Sequence, residues 1–169
     1  ATNLLRQSGV DVDRLFISAG FGLVEESTLL PPYEVTFSSM SNERIRERSK
    51  DLGIQNDLLE QLSTHEYDIV FFPLGKDYVT AIEIAELVRE AGADTRFVLF
   101  NRDEPSGENI VSLDARTDQA REFGVIVVEL KGKLIKNFAE RIAAGNSVDD
   151  ADDIREFCTY NPQGSLGSF

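Results

Sequence analysis

Two turns that contain glycine carry the side chains best suited to binding a ligand. The first turn follows the apolar run at residues 15–17 and contains Ser18, Gly20, Phe21 and Gly22. Glycine has no Cβ, so Gly20 and Gly22 allow another group to approach the main chain closely. A buried strand that ends in such a turn is typical of a sheet edge that meets a ligand. We therefore expect a binding role for these four residues.

A long connection follows this turn and runs to Phe37. Pro31 and Pro32 restrict its backbone, which lowers the entropy lost when the loop becomes ordered. Tyr33 follows them and is able to stack on a base or to bond a phosphate. Loops of this length in compact domains are usually functional or disordered. The alternative is a rigid loop that packs for stability, with the Tyr33 hydroxyl anchored on the protein.

The second turn follows the apolar run at residues 67–74 and contains Gly75, Lys76, Asp77 and Tyr78. The free N–H groups and the dipole at the start of the following helix favour an anion, and Lys76 would add a positive charge. The turn is not a Walker A loop, since the upstream glycine and the Ser or Thr after the lysine are missing. We expect Gly75, Lys76 and Tyr78 to bind a ligand. The alternative is an exposed lysine and a tyrosine that packs its ring.

Basic residues at two places are candidate contacts for nucleic-acid phosphates. Lys131, Lys133 and Lys136 follow a predicted fourth strand, at the expected site edge. Arg44 and Arg48 lie four residues apart on one face of a predicted helix, within the densest basic cluster of the chain. Glutamates neighbour both arginines, so a solvated face whose charges pair with one another is the alternative there.

Catalytic residues are not evident from the sequence. Glu25, beside Glu26 in the first loop, and Asp77 are weak candidates for proton transfer. Adjacent carboxylates are expected by chance in a chain with 30 acidic residues. The single histidine, His65, has no partners for a catalytic triad or a zinc site, so we expect a structural role. We predict no metal site and no cofactor.

Composition places the chain among globular proteins with an acidic surface. Thirty acidic and 17 basic residues give a net charge of −13. Such a surface is typical of a protein from a high-salt cytoplasm, and it also fits an acidic protein that docks on a basic partner. The single cysteine, Cys158, excludes an internal disulfide and fits a reducing compartment. No apolar run has the length of a membrane span and no signal peptide is evident, so we predict a cytoplasmic protein without membrane contact.

Strands alternate with helices along the chain, which predicts an α/β fold. Predicted strands lie at residues 15–17, 67–74, 96–100 and 125–130, with a weaker one at 110–113. We predict one α/β domain over residues 1–160, with three layers and a mostly parallel sheet of about four to six strands covered by helices on both faces. A flexible tail is predicted at residues 161–169. Parallel strands end at one edge, so we expect both turns and the lysines near residue 131 to meet there.

Several short motifs occur in a fixed order in the first half of the chain. A strand ends in Ser18, the step at residues 21–23 is Phe-Gly-Leu, and a Pro-Tyr pair at 32–33 follows that glycine by ten positions. A second apolar strand leads into residues 74–78, which read Leu-Gly-Lys-Asp-Tyr. With these motifs, residues 14–85 resemble the YaaA-type peroxide-stress proteins and a related set of uncharacterised α/β domains. The resemblance implies a positively lined groove that binds DNA and a role in limiting oxidative DNA damage, although this chain lacks the family's basic character.

Three functions are compatible with these features. The first is a nucleic-acid- or nucleotide-associated protein of the YaaA-like group, adapted to high salt, with DNA or a nucleotide as partner. The second is a glycosylase- or transferase-like enzyme acting on a nucleobase or nucleoside, in which Tyr33 positions the base and Glu25 or Asp77 moves protons. The third is an acidic subunit of a larger protein complex, such as a defence assembly.

Overall fold

The computed structural model describes residues 1–161, which form two compact units. Unit 1 contains Ala1–Val12, Ile69–Pro73 and residues 96–161, and unit 2 contains Asp13–Asp68 and Leu74–Thr95. That both units belong to one domain over residues 1–160 stays a prediction. Apart from its first residue, the predicted tail at 161–169 lies outside the described residues.

Helices and short strands follow one another along the chain. In chain order they are α1 (Thr2–Gln7), β1 (Leu15–Ser18), β2 (Gly22–Glu25), a 3-10 helix (Phe37–Ser39), α2 (Asn42–Asp51), α3 (Ile54–Thr64), β3 (Ile69–Phe72), α4 (Lys76–Thr80), α5 (Ile84–Glu90), β4 (Arg96–Phe100), β5 (Ile110–Leu113), α6 (Thr117–Glu122), α7 (Val127–Ala143) and α8 (Ala151–Thr159).

A parallel sheet of three strands, in the order β3-β4-β5, forms the centre of unit 1. The predicted weak strand at residues 110–113 is confirmed as the edge strand β5. Val98 and Phe100 of β4 lie beside Val111 and Leu113 of β5, and these four side chains join the core that α1, α7 and α8 complete. The α/β character with a parallel sheet is therefore confirmed. The parallel sheet has fewer strands than predicted, and a helical layer on its other face stays a prediction.

The predicted first strand does not belong to this sheet. β1 pairs with β2 in an antiparallel hairpin of unit 2, with Phe16 opposite Val24 and Ser18 opposite Gly22. The chain reverses within the three residues between these strands, and Gly22 has the positive φ of +84° that glycine adopts without strain. β1 therefore pairs with the next segment of the chain, because the three-residue turn returns residues 22–25 beside it.

The predicted strand at residues 125–130 is wrong, because this segment begins the longest helix, α7. Its β-branched residues favour a strand by propensity. However, Leu130, Leu134 and Phe138 recur every four residues and are all buried in the core of unit 1. Burial of this helical stripe outweighs the local β propensity.

Helices of unit 2 follow the sequence signals closely, with one exception. The Ser41 hydroxyl accepts a hydrogen bond from Arg44 N and begins α2, and Gly53 separates α2 from α3 with a φ of +69°. The exception is residues 76–90, whose apolar spacing predicts one helix and which form two, α4 and α5. Side chains from α2 and α3 bond the main chain of Ala81 and Glu83, so the helix stops between them.

No helix among residues 1–161 is both long enough and apolar enough to cross a bilayer.

Candidate functional site

The β1–β2 turn is organised by one buried hydroxyl. Ser18 Oγ accepts hydrogen bonds from Gly20 N at 3.2 Å and Phe21 N at 3.1 Å, and it donates to Tyr33 Oη at 3.0 Å. The serine is placed there because it ends β1 directly before the three-residue reversal. The Ser18 hydroxyl therefore makes its hydrogen bonds to other residues of the protein.

Arg48 of α2 holds the same turn from the other side. Its Nε donates to Ala19 O at 3.0 Å and its Nη2 donates to Gly20 O at 3.2 Å. The planar guanidinium matches two neighbouring carbonyl groups with its fixed pair of donors. Arg48, predicted as a phosphate contact, therefore bonds the main chain of the turn.

Tyr33 packs directly over Gly20. A Cβ at Gly20 would lie 2.9 Å from Tyr33 Cδ2, and the rings of Phe21 and Tyr33 meet edge to face with centroids 5.0 Å apart. The close approach that Gly20 permits is thus made by Tyr33 and not by an external group. Gly22 similarly faces the main chain of Leu52, whose carbonyl oxygen would lie 3.0 Å from an added Cβ.

The second turn has a different environment. Gly75 begins α4, Lys76 is exposed, and the ring of Tyr78 packs edge to face on the buried Phe37 with centroids 5.2 Å apart. In the described part of the chain, no hydrogen bond or ring contact joins residues 75–78 to the first turn. The shared recess that the sequence predicts is therefore not formed by direct contacts between the two turns.

The lysines predicted to follow a fourth strand lie on helix α7 of unit 1. Lys131 lies over the ring of Phe100, with 5.9 Å between Nζ and the centroid, and burial lowers the pKa of its ammonium group. Lys136 Nζ pairs with Glu140 at 3.5 Å, and Lys133 is partly buried. They are spread along a helix and do not form a strand-end site.

The other residues considered from the sequence for catalysis or metal binding lie in both units. Glu25 is exposed at the end of β2, and Asp77 is half-buried in the first turn of α4. His65 ends α3 and its ring stacks on Tyr67, as a structural residue does. Cys158 is buried. Among residues 1–161, no three His, Cys, Asp or Glu side chains lie close enough together to hold a metal ion.

A pocket of about 200 Å³ lies within unit 2, at a place that the sequence does not indicate. Its walls come from the second half of α2, the first turn of α3 and the α4–α5 connection. The lining residues are Arg46, Ser49, Lys50, Gly53, Gln55, Asn56, Thr80, Ala81 and Glu83.

Side-chain hydrogen bonds fasten the walls of this pocket to one another. The Gln55 amide group accepts a hydrogen bond from Glu83 N at 2.9 Å and donates to Glu83 O at 3.3 Å and to the Glu86 carboxylate at 2.8 Å. The buried Ser49 hydroxyl donates to Ala81 O. The connection between α4 and α5 is thereby held against α2 and α3 without a ligand.

Two cations and one carboxylate, that of Glu83, line the pocket. Arg46 and Lys50 are four residues apart on α2, so they lie on one face of the helix. Within residues 1–161 neither forms an ion pair, whereas Arg44 Nη1 on the same helix pairs with Glu47 at 3.3 Å. Gly53 has no side chain to cap α3, so the N-terminal dipole of this 11-residue helix faces the same place, although Asp57 adds a carboxylate to its first turn.

Such an arrangement can bind an anion and hydroxyl groups together. Arg46 and Lys50 are donors for a phosphate, and the Glu83 carboxylate accepts hydrogen bonds from sugar hydroxyls. The sequence showed the basic cluster and Gly53, but it could not show that the α4–α5 connection closes beside them. That connection is some thirty residues away in the chain.

No protein-family model matches this chain, and comparisons with curated proteins and with solved structures give no match either.

Proposed function

We propose that this protein binds a nucleotide in the pocket between α2, α3 and the α4–α5 connection. Arg46, Lys50 and the N-terminus of α3 contact the phosphate, and Glu83 contacts the ribose hydroxyls. The observation that carries this proposal is that two neighbouring cations line a pocket without an ion-pair partner among residues 1–161.

The overall charge makes this observation informative. The chain has 13 more acidic than basic residues, so surplus carboxylates could pair with its cations. Six arginines elsewhere in the described residues have such partners, namely Arg14, Arg44, Arg89, Arg116, Arg121 and Arg155. Arg46 and Lys50 do not, so they remain available for an anion from solution.

The expected affinity is moderate. Hydrogen bonds to charged groups contribute about 1.5–3 kcal/mol each, and the end of a helix dipole adds about 0.3–1 kcal/mol. Two such contacts to Arg46 and Lys50 with the α3 terminus correspond to a Kd between about 10 μM and about 4 mM. The pocket volume, about 200 Å³, suits the sugar phosphate of a nucleotide more than an entire dinucleotide.

A nucleotide fits the charge of this chain better than DNA does. A surface with net charge −13 repels a polyanion at low salt, and a nucleotide carries far fewer charges. The resemblance to YaaA-type proteins also points to a phosphate-bearing ligand. Glu25 and Asp77 do not line the pocket, so the proposal is binding without a reaction.

Titration calorimetry with the whole chain at low salt tests the proposed ligand class. We expect AMP and ATP to bind, inorganic phosphate to bind more weakly because it lacks the sugar, and adenosine not to bind. Increasing salt should weaken the binding because the contacts are ionic. Adenosine binding as tightly as AMP, or no heat with any phosphate-bearing ligand, would contradict the proposal.

A further inference from the structure

The β1–β2 hairpin has two free edges in the described part of the chain. β1 pairs only with β2 among residues 1–161, and β2 pairs only with β1. A strand at the edge of a sheet presents unpaired N–H and C=O groups, which form a template for a further strand.

Large apolar side chains are exposed on and beside the hairpin. Phe16 is 43% exposed and Phe21 is 40% exposed, and Leu29 in the following loop is 98% exposed. Tyr33 and Val35 continue the same stretch of chain, each exposed by more than two fifths. Exposed apolar residues grouped in this way mark interaction sites more often than singly scattered ones do.

The hairpin is already rigid before any partner binds. Ser18 and Arg48 fix its turn through hydrogen bonds to the main chain, and Arg14 Nη1 pairs with Glu26 at 3.1 Å across its open end. A surface that is ordered in advance loses less conformational entropy on association.

The charge around the hairpin selects the class of partner. Residues 13–35 contain four carboxylates and one guanidinium, and that guanidinium, on Arg14, is paired with Glu26 and lies 4.9 Å from the centroid of the Phe16 ring. Glu25 and Glu34 remain exposed beside the apolar side chains. A second copy of this chain or a nucleic acid would bring further negative charge to this surface, whereas a basic segment would bring the opposite charge.

We propose that the hairpin binds an extended segment of a basic partner protein, in which lysine or arginine alternates with apolar residues. The segment adds a strand to the hairpin edge, its apolar side chains cover Phe16 and Phe21, and its cations face Glu25 and Glu34. This surface is separate from the nucleotide pocket, and the inference does not rest on the proposed function.

The test uses the whole chain and a short synthetic peptide of alternating lysine and valine. Amide chemical shifts measured during the titration should change at residues 15–25. A peptide with glutamate in place of lysine should not bind. A peptide with proline in place of the central valines should lose binding, because proline cannot donate the ladder hydrogen bonds. Equal binding of the lysine and glutamate peptides, or shift changes confined to other residues, would overturn the proposal.

Variants separate the hairpin from general attraction to an acidic protein. Phe16→Ser should lower the affinity for the lysine peptide at least tenfold. Val128→Ser removes an exposed apolar side chain of unit 1 and should leave the affinity for the lysine peptide unchanged. The double variant Glu25→Lys with Glu34→Lys should bind the lysine peptide more weakly and should bind the glutamate peptide. This result does not depend on whether the Phe16 variant is stable. Two results would contradict a basic partner. One is a dimer that is detected by sedimentation and abolished by Phe16→Ser, and the other is binding of single-stranded DNA at residues 15–25.

Discussion

Ser18 Oγ donates a hydrogen bond to Tyr33 Oη at 3.0 Å and so connects the end of β1 to the loop beyond the hairpin. The same oxygen accepts from two main-chain N–H groups of the turn. Ser18, Gly20, Phe21 and Tyr33, which the sequence suggests for ligand binding, therefore form hydrogen bonds or contacts with one another. Their spacing is explained by the stability of the turn, and the pocket, whose cations have no ion-pair partner among the described residues, lies on the other side of α2.

Replacing Ser18 by alanine should destabilise the protein by about 1–3 kcal/mol, because the N–H groups of Gly20 and Phe21 lose their acceptor in a buried place. Urea unfolding measures the change. Ser63→Ala is the matched control, since the Ser63 hydroxyl bonds Glu60 O on an exposed helix surface. Its effect should stay within about 0.5 kcal/mol. Equal effects of both substitutions would show that the Ser18 hydroxyl does not organise the turn.

Gly20→Ala should destabilise the protein by about 1–3 kcal/mol, because the new methyl group would lie 2.9 Å from the Tyr33 ring. The loss should be smaller when Tyr33 is also changed to alanine. Gly132→Ala is the control with the opposite sign. It lies inside α7 with open space around it, so the substitution should stabilise by about 0.5–1 kcal/mol. A neutral Gly20→Ala would contradict the packing of Tyr33 on this residue.

Arg48→Lys should destabilise unit 2 although the charge is kept, because an ammonium group cannot reproduce the paired donors to Ala19 O and Gly20 O. The expected loss in chemical denaturation is about 1.5–3 kcal/mol. Arg44→Lys on the same helix alters only an exposed pair with Glu47, so its effect should be below about 1 kcal/mol. If both variants unfold at the same denaturant concentration, the fork geometry of Arg48 is not important.

Cys158 should make the protein less stable in alkaline solution. Burial raises the pKa of its thiol from an ordinary value near 9 to about 12. Between these pH values the unfolded chain loses the thiol proton and the folded chain keeps it, so the free energy of unfolding decreases as pH rises. The measurement is the difference in this pH dependence between the wild type and Cys158→Ala. Ellman's reagent at pH 8 should modify the thiol only after denaturant is added, and rapid reaction with the folded protein would contradict its burial.

Local signals predict the parts of the fold in which burial and propensity agree. Residues 96–100 form β4, with Phe97, Val98 and Phe100 buried, and their apolar run predicts a strand. Gly53 and the Ser41 cap predict the limits of α2 because these signals act within a few residues.

The sequence is misleading where distant packing decides the structure. Residues 125–130 have the composition of a strand, yet Leu130 begins a buried stripe that continues to Phe138 and requires a helix. The hairpin is missed as a unit because residues 22–25 lie inside what reads as a loop. The pocket is missed because Glu83 reaches it only through contacts with Gln55, and the order of residues does not encode that contact.

The proposed function depends most directly on the two cations of the pocket. Titration calorimetry of AMP into Arg46→Gln with Lys50→Gln, beside Arg44→Gln as the control on the same helix, measures their contribution. The double variant should bind AMP at least tenfold more weakly than the wild type, because each lost charged hydrogen bond contributes about 1.5–3 kcal/mol. Arg44→Gln should bind like the wild type. Equal AMP affinity of the double variant and the wild type would contradict nucleotide binding in this pocket.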